Sequence, residues 1–295
     1  MNNGGNYLII KKFNKPNEEL INEIREVELI CKDYDKLDGN IFLDTSLNVN
    51  PEINSLFLLY ENDKLVSIIT MFIPSNEEAE ISAFTLPEYR RQGFFSKLLD
   101  EVIKEINKYN IPDLIFVCEP KSRDGIGVIN KLNAEFDFAE YFLRYNDSLN
   151  DVNIWQASEL KLYRAEKKDL DAIINLSQEI FDDNYDDAKS MVTKTFEANN
   201  RMQYIAVLKD KLIGMCSVSI ENDEASIFGF GVKPDHQGKG FGRELLNLLL
   251  VDLKEKGCSN ITIEVDSTNE NAFNLYKKCG FEVETSFNYY RKSIN

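Results

Sequence analysis

The chain has 295 residues, 43% of them apolar, and 50 acidic side chains against 34 basic ones give a formal net charge of −16. That length exceeds the usual single-domain size of about 100 to 200 residues, and the apolar content suffices for two cores. The acidity and the lack of a basic stripe exclude a nucleic-acid-reading surface; an acidic field favours a cationic or amine-bearing partner, with solubility as the competing explanation of the charge.

No apolar stretch approaches the ~18 residues of a membrane span, and Met1 to Asn6 lacks a charged-then-apolar signal pattern, so a cytoplasmic protein without a membrane partner is expected. The five cysteines, Cys31, Cys118, Cys216, Cys258 and Cys279, are odd in number and without Cys-x-x-Cys spacing, which reads as reduced, buried thiols. With a single histidine, His236, and no clustered cysteines, no metal site is expected.

In chain order, the pattern predicts a first strand over Tyr7 to Lys12 and then one or two helices. Two strands follow, Ser55 to Tyr60 and Leu65 to Pro74, turning at Glu61-Asn62-Asp63. A third strand leads into the loop Arg90-Arg91-Gln92-Gly93-Phe94-Phe95-Ser96 and a helix, and a strand, a short helix and a final pair of strands (Phe136 to Arg144) close the half. The segment Asn146 to Ser158 lacks clean periodicity, which places a domain boundary between residues 148 and 149. Trp155, within it, reads as a packing anchor between domains.

The second half repeats the first. Its strands are Leu160 to Arg164, Gln203 to Leu208, Leu212 to Ile220 (turning at Lys209-Asp210), Ser226 to Val232, Asn260 to Val265 and a final pair within Glu282 to Arg291. A constant offset of 147 lays Lys64-Leu65-Val66-Ser67 on Lys211-Leu212-Ile213-Gly214, Pro87 on Pro234, Gly93 on Gly240 and Arg144 on Arg291. Strands, hairpins and helices in this order predict α/β or α+β layers, once in 1–148 and again in 149–295.

Between strand Ser226 to Val232 and the apolar-periodic segment Glu244 to Leu253 lies Gln237-Gly238-Lys239-Gly240-Phe241-Gly242-Arg243. A glycine-rich turn that opens a helix presents consecutive backbone N–H groups at a positive helix end, which suits a pyrophosphate. The spacing fits neither the P-loop nor the Gly-x-Gly-x-x-Gly fingerprint. It fits Gln/Arg-x-x-Gly-x-Gly/Ala, and about thirty residues on, Asn269-Glu270-Asn271-Ala272-Phe273-Asn274-Leu275-Tyr276 with Cys279-Gly280-Phe281 fits Asn-x-x-Ala-x-x-Leu-Tyr…Gly-Phe. On these two motifs the chain resembles the GNAT superfamily of acyl-CoA-dependent N-acetyltransferases, in a tandem arrangement.

The resemblance implies two domains, each a mostly antiparallel sheet with strands four and five splayed and flanked by helices, and Gly229 and Gly231 fit a bulged strand four in the second. It implies acetyl-CoA as cosubstrate, with Gln237, Gly238, Lys239, Gly240, Phe241, Gly242 and Arg243 at its pyrophosphate. The Val232 backbone N–H would polarise the thioester carbonyl and Asn269 would meet the pantetheine arm. Tyr276 would be the general acid toward the departing sulfur, and Glu264, in a Glu-Val-x-x-x-Asn context, the base. Each residue has a plainer reading: Tyr276 packed on a helix face, Glu264 an ordinary strand glutamate, Asn269 a helix N-cap, His236 a loop residue and Cys279 a packing residue. The acceptor would be a primary amine on a small molecule or a peptide N-terminus. A non-catalytic acyl-CoA-binding or regulatory module and a thiol or hydroxyl acceptor are the alternatives, and a homo-oligomer is compatible with the sequence. The first half departs from the motifs in register, with Phe95 for Gly242, Ser122 for Asn269 and Ile129 for Tyr276, and so reads as a degenerate copy.

Overall fold

The computed structural model describes residues 7–149, 159–221 and 223–294, so Trp155 and most of the segment around it lie outside the described residues. The first repeat forms β1 (Leu8–Phe13), α1 (Glu18–Asp35), β2 (Leu56–Glu61), β3 (Lys64–Phe72), β4 (Glu78–Thr85), α2 (Phe94–Lys108), β5 (Asp113–Cys118), α3 (Arg123–Leu132) and β6 (Glu135–Tyr145). The second forms β7 (Leu160–Arg164), α4 (Leu170–Phe181), α5 (Tyr185–Glu197), β8 (Arg201–Leu208), β9 (Lys211–Glu221), β10 (Glu224–Val232), α6 (Phe241–Glu255), β11 (Asn260–Asp266), α7 (Glu270–Lys278) and β12 (Phe281–Ser293).

The offset seen in sequence is an offset in backbone conformation. The two hairpins turn through Asn62-Asp63 (φ 49° and 65°) and Lys209-Asp210 (φ 47° and 64°), the left-handed pair that matches strand twist in a two-residue connection. Both α2 and α6 start after a left-handed glycine, Gly93 (φ 80°) and Gly240 (φ 90°), and each runs for 15 residues.

Two units result, residues 1–139 with 286–295 and residues 140–285, which differs from a single cut after residue 148. The final pair of strands expected in each half is instead one unbroken strand, β6 of 11 residues and β12 of 13. Each strand starts in its own repeat and ends in the other unit. In the first unit Asn288 to Ser293 of β12 pair antiparallel with β5, giving the order β1-β2-β3-β4-β5-β12. In the second, Glu140 to Arg144 of β6 pair antiparallel with β11, giving β7-β8-β9-β10-β11-β6. Strands β4 and β5 run parallel, as do β10 and β11; the other pairs named here are antiparallel.

Each unit has its own core. Phe57, Ile68, Ile69, Leu98, Val102 and Leu114 are fully buried in the first, and Leu245, Leu249, Leu253, Ile261, Cys279 and Phe281 in the second, where Ile173, Ile174, Val192 and Met215 form a smaller cluster under α4 and α5. All five cysteines are free and four are buried, as their spacing predicts.

The exchange has a measurable consequence. A chain begun at residue 149 lacks the strand that pairs with β11 and leaves an internal strand of a half-buried sheet as a bare edge. Circular dichroism melts should show no cooperative transition for residues 149–295 and a restored one for residues 135–295, which regain β6; equal melts would show that β6 is dispensable.

Candidate active site

The Gly238-Lys239-Gly240 turn is fixed by the residue ahead of it. Gln237 donates its backbone N–H to Pro234 O at 3.2 Å, closing a turn within the loop, and its side-chain amide to Val232 O at 2.9 Å, tying the loop to the end of β10. In the first unit Arg90 Nε makes the same link to Thr85 O at 3.0 Å. The motif glutamine is thus a brace in the structure. Gly238 (φ 71°) and Gly240 (φ 90°) have positive φ, and no atom lies within 4 Å of a Cβ built on either. The N–H groups that open α6 have no intrahelical acceptor. This row of donors over open space, with Lys239 and Arg243 beside it, fits a pyrophosphate.

Gly242 has a different reason to be small: a Cβ there would stand 3.2 Å from Leu275 Cδ2, so it seats α6 against α7. Phe241 is half-buried beside His236, ring centroids 6.0 Å apart, and His236 Nδ1 pairs with Asp235 at 2.8 Å, which keeps this histidine a loop residue. Lys239 Nζ turns back to Asp235 O at 2.6 Å. Burial pushes the Cys279 thiol up to about 11, against the lowering charge of Arg243, so it stays a neutral packing group near pH 7.

Beyond the loop the sheet opens. β10 and β11 pair from Glu224/Asn260 to Ile227/Ile263 and no further, and β10 shifts register against β9 between Phe228 and Gly231, a bulge at Gly229 (φ 54°). Lys233 N–H bonds Ile213 O at 2.8 Å, so by antiparallel alternation Val232, opposite Gly214, is a non-hydrogen-bonded position whose N–H faces away from β9 into the opening. Gly231 accommodates α4: a Cβ there would fall 2.2 Å from Ile180 Cγ2.

Two titratable groups flank that opening from opposite faces. Tyr276 belongs to the core on the α6 and α7 face, 5% exposed, its ring 6.0 Å from Phe230 and 6.1 Å from Phe281. Burial, then the nearby Cys216 and Cys279, push its hydroxyl upward, so it remains a proton donor at neutral pH. Glu264 points to the other face, since Ile263 and Val265 on either side of it are buried in the core. Its side chain is exposed at the surface, yet the surrounding protein desolvates it, and this, aided by the charge of Glu140, raises its carboxyl to about 7. Surface area alone would class it as an ordinary exposed acid; the crowding decides its proton affinity. Asn269 is the N-cap of α7, its Oδ1 accepting from Ala272 N–H at 3.1 Å.

The first unit shares the opening, since β4 and β5 pair from Glu78/Asp113 to Ile81/Phe116 and no further, and differs at the other points. β4 pairs with β3 in one unbroken register from Ser67/Thr85 to Phe72/Glu80, without the bulge. Arg90 is locked by Asp35 at 2.6 Å and Asp124 at 2.9 Å, and Ile129, in register with Tyr276, is a core residue 3% exposed. Glu119, in register with Asp266, accepts from the N–H groups of Asp38 (3.0 Å) and Gly39 (2.7 Å). Among the described residues no cluster suits a metal ion, and no helix is long and apolar enough to cross a membrane.

A family model described as "Acetyltransferase (GNAT) family" matches the chain twice, over residues 19–132 and 170–281. The chain belongs to the GNAT family. It is an acetyltransferase of tandem architecture. Over 102 residues it is 37% identical to the [ribosomal protein bS18]-alanine N-acetyltransferase of Haemophilus influenzae, a match covering 33% of this chain and 69% of that protein. Over 151 residues it is 25% identical to the mycothiol acetyltransferase of Propionibacterium freudenreichii, covering 46% and 47%. The fold matches the crystal structure of a GCN5-related N-acetyltransferase from Sphaerobacter thermophilus, with TM-score 0.78 at 14% identity over 98% of this chain and 96% of that one. A tandem GNAT protein from the clavulanic acid biosynthesis pathway matches with TM-score 0.72 at 15% identity, covering 98% and 99%.

Sequence reasoning did not find the bracing role of Gln237 or the packing role of Gly242, whereas it did read the bulge of the second unit. The signal for the bulge is Gly229-Phe230-Gly231 in β10, which stands where β4 has only Ser82-Ala83-Phe84.

Proposed function

We propose that the second unit transfers acetyl from acetyl-CoA directly to a primary amine, and that the first unit is a non-catalytic copy. The observation that carries this reading is the bulged, opened strand pair of the second unit, with a donor-rich loop at one end and Tyr276 and Glu264 flanking it. The N–H row from Gly238 to Arg243 would hold the pyrophosphate, and the Val232 N–H would take up charge developing on the thioester oxygen. Glu264 would receive the proton of the attacking amine, directly or through water. The C–N bond forms, the C–S bond breaks, and Tyr276 gives its proton to the leaving sulfur; solvent then reprotonates Tyr276 and deprotonates Glu264.

The likeness to relatives named for acetylating a ribosomal-protein alanine supports a peptide N-terminal amine as the acceptor to test first. The assay is release of the CoA thiol from acetyl-CoA with a short peptide beginning with alanine, against the same peptide with a blocked amine. Because a base must be unprotonated and Glu264 holds its proton up to about 7, kcat/KM should rise with pH through that value, and Glu264→Gln should remove the limb. Bound acetyl-CoA with no turnover on any amine would favour the binding-module alternative.

A further inference from the structure

In the second unit β6 lies beside β11 with Glu264 opposite Phe142 and Asp266 opposite Glu140. Side chains two apart on a strand share a face, so Glu140, Phe142 and Arg144 stand on the same face as Thr262, Glu264 and Asp266. Glu140 and Arg144 are therefore the two diagonal neighbours of Glu264, one of each charge. Arg144 is turned away, its Nε on Glu284 at 2.7 Å and its guanidinium towards Asn260, so it does not compensate the charge of Glu264. From β10 this face receives Glu224, at the far end opposite Asn260, then Ser226 and Phe228; the Arg201 guanidinium of β8 stands over the Phe228 ring, 5.9 Å from its centroid, and Asp266 accepts from Thr268 at the strand end. Directly across, Phe142 offers no polar contact.

The first unit has the same register without the carboxylates. At the fixed offset Val117 stands for Glu264 and Phe287 for Glu140, and Val117 pairs with Tyr289 as Glu264 pairs with Phe142. Both sheets open after four parallel pairs, at Ile81/Phe116 and at Ile227/Ile263, yet the two acids stand beside the opening of the second unit and apolar residues hold their places in the first. Neither position alone requires this, since each lies on a different repeat of the sequence.

We propose that Glu140, carried into the second unit from the first sequence repeat, is a positioning residue for the acceptor, its like charge making Glu264 a stronger proton acceptor and drawing an ammonium group to that face. The role rests on the reading of Glu264 as the base. It makes the tandem chain a functional necessity, because the repeat that holds Glu264 does not itself encode Glu140. It also selects cationic amines over neutral or acid-flanked ones, in keeping with the acidic balance of the chain.

The test uses the full chain and two readouts. The first needs no substrate: the Glu264 carboxyl is titrated by carbon NMR on glutamate-labelled protein, its signal assigned by its loss in Glu264→Gln. In Glu140→Gln its midpoint should fall by roughly half to one pH unit, the effect of removing a charge about 7 Å away across a wet sheet face. The second is the pH profile for the alanine-initiated peptide, whose rising limb should move down by the same amount while KM rises. Glu140→Asp, which keeps the charge, should restore both, whereas a merely structural role would lower turnover without moving the limb. A midpoint unmoved by Glu140→Gln in a protein that still melts cooperatively overturns the proposal, and so does a midpoint that moves while the limb stays fixed. If the unmodified enzyme turns over without any Glu264-dependent limb, the base assignment itself fails, and the NMR midpoint reports separately whether the two carboxylates interact.

Discussion

Replacing Tyr276 by phenylalanine should leave the fold intact and slow acetyl transfer by roughly 10²- to 10⁴-fold, the range of a general acid–base contribution. The ring is 5% exposed and meets Phe230 and Phe281 edge-on or tilted, contacts that phenylalanine keeps. Only the hydroxyl is lost, so the melting temperature should barely change. The same burial that packs the ring holds the hydroxyl protonated well above neutral pH, so the donor is in its active form through the pH range near 7 where Glu264 becomes a base. Single-turnover measurement with bound acetyl-CoA separates chemistry from product release. A rate within a factor of about two of the unmodified enzyme would make Tyr276 a core residue and nothing more.

Sequence made the repeat legible because its punctuation is local. Two-residue turns, left-handed glycines and period-two strands depend on neighbours in the chain, and each recurred at the offset with matching φ values. The exchange of β6 and β12 was hidden because nothing local marks it. Each strand continues its pattern without a break while its partner changes, and partner choice is not written in a strand's own alternation. The site residues divide the same way. Gly240 announces its backbone conformation by type, whereas Gln237 resembles a ligand-binding polar residue until its amide is seen on Val232 O. Glu264 was recognisable by its motif, but its proton affinity is set by crowding and by Glu140, 124 positions earlier in the chain.

The units share the opening between their parallel strands and differ in the bulge, in the residue that braces the loop and in the titratable groups beside the opening. Both sheets open after four parallel pairs, and Thr85, opposite Ser67 with the Leu86 N–H on Val66 O, turns its own N–H towards the gap as Val232 does; β10 differs by the extra residue of its bulge. Arg90, held by Asp35 and Asp124, ties α1 to α3 where the second unit has only the neutral Gln237. Restoring a tyrosine at Ile129 alone would therefore not create a second active site.

Gly240→Asp should abolish acetyl-CoA binding and turnover, and Gly93→Asp should change neither by more than about twofold. The two positions form a matched pair: both are left-handed helix N-caps, at φ 90° and 80°, and at both an added Cβ meets no atom within 4 Å. The backbone strain of a non-glycine residue is thus alike in the two variants, and aspartate tolerates this conformation better than most side chains. What differs is the negative charge set against the N–H row of α6 in one case and of α2 in the other. At a site that binds a pyrophosphate that charge opposes the ligand directly, whereas at a loop without a phosphate it meets only solvent and a positive helix end. Gly242→Phe, which copies the first repeat, is a poorer probe because its side chain would strike Leu275 and lost binding could report a displaced α7. Calorimetric titration with acetyl-CoA, turnover and a melting curve on the same preparations decide the matter. Loss of function in Gly93→Asp with Gly240→Asp unaffected would place the working site in the first unit.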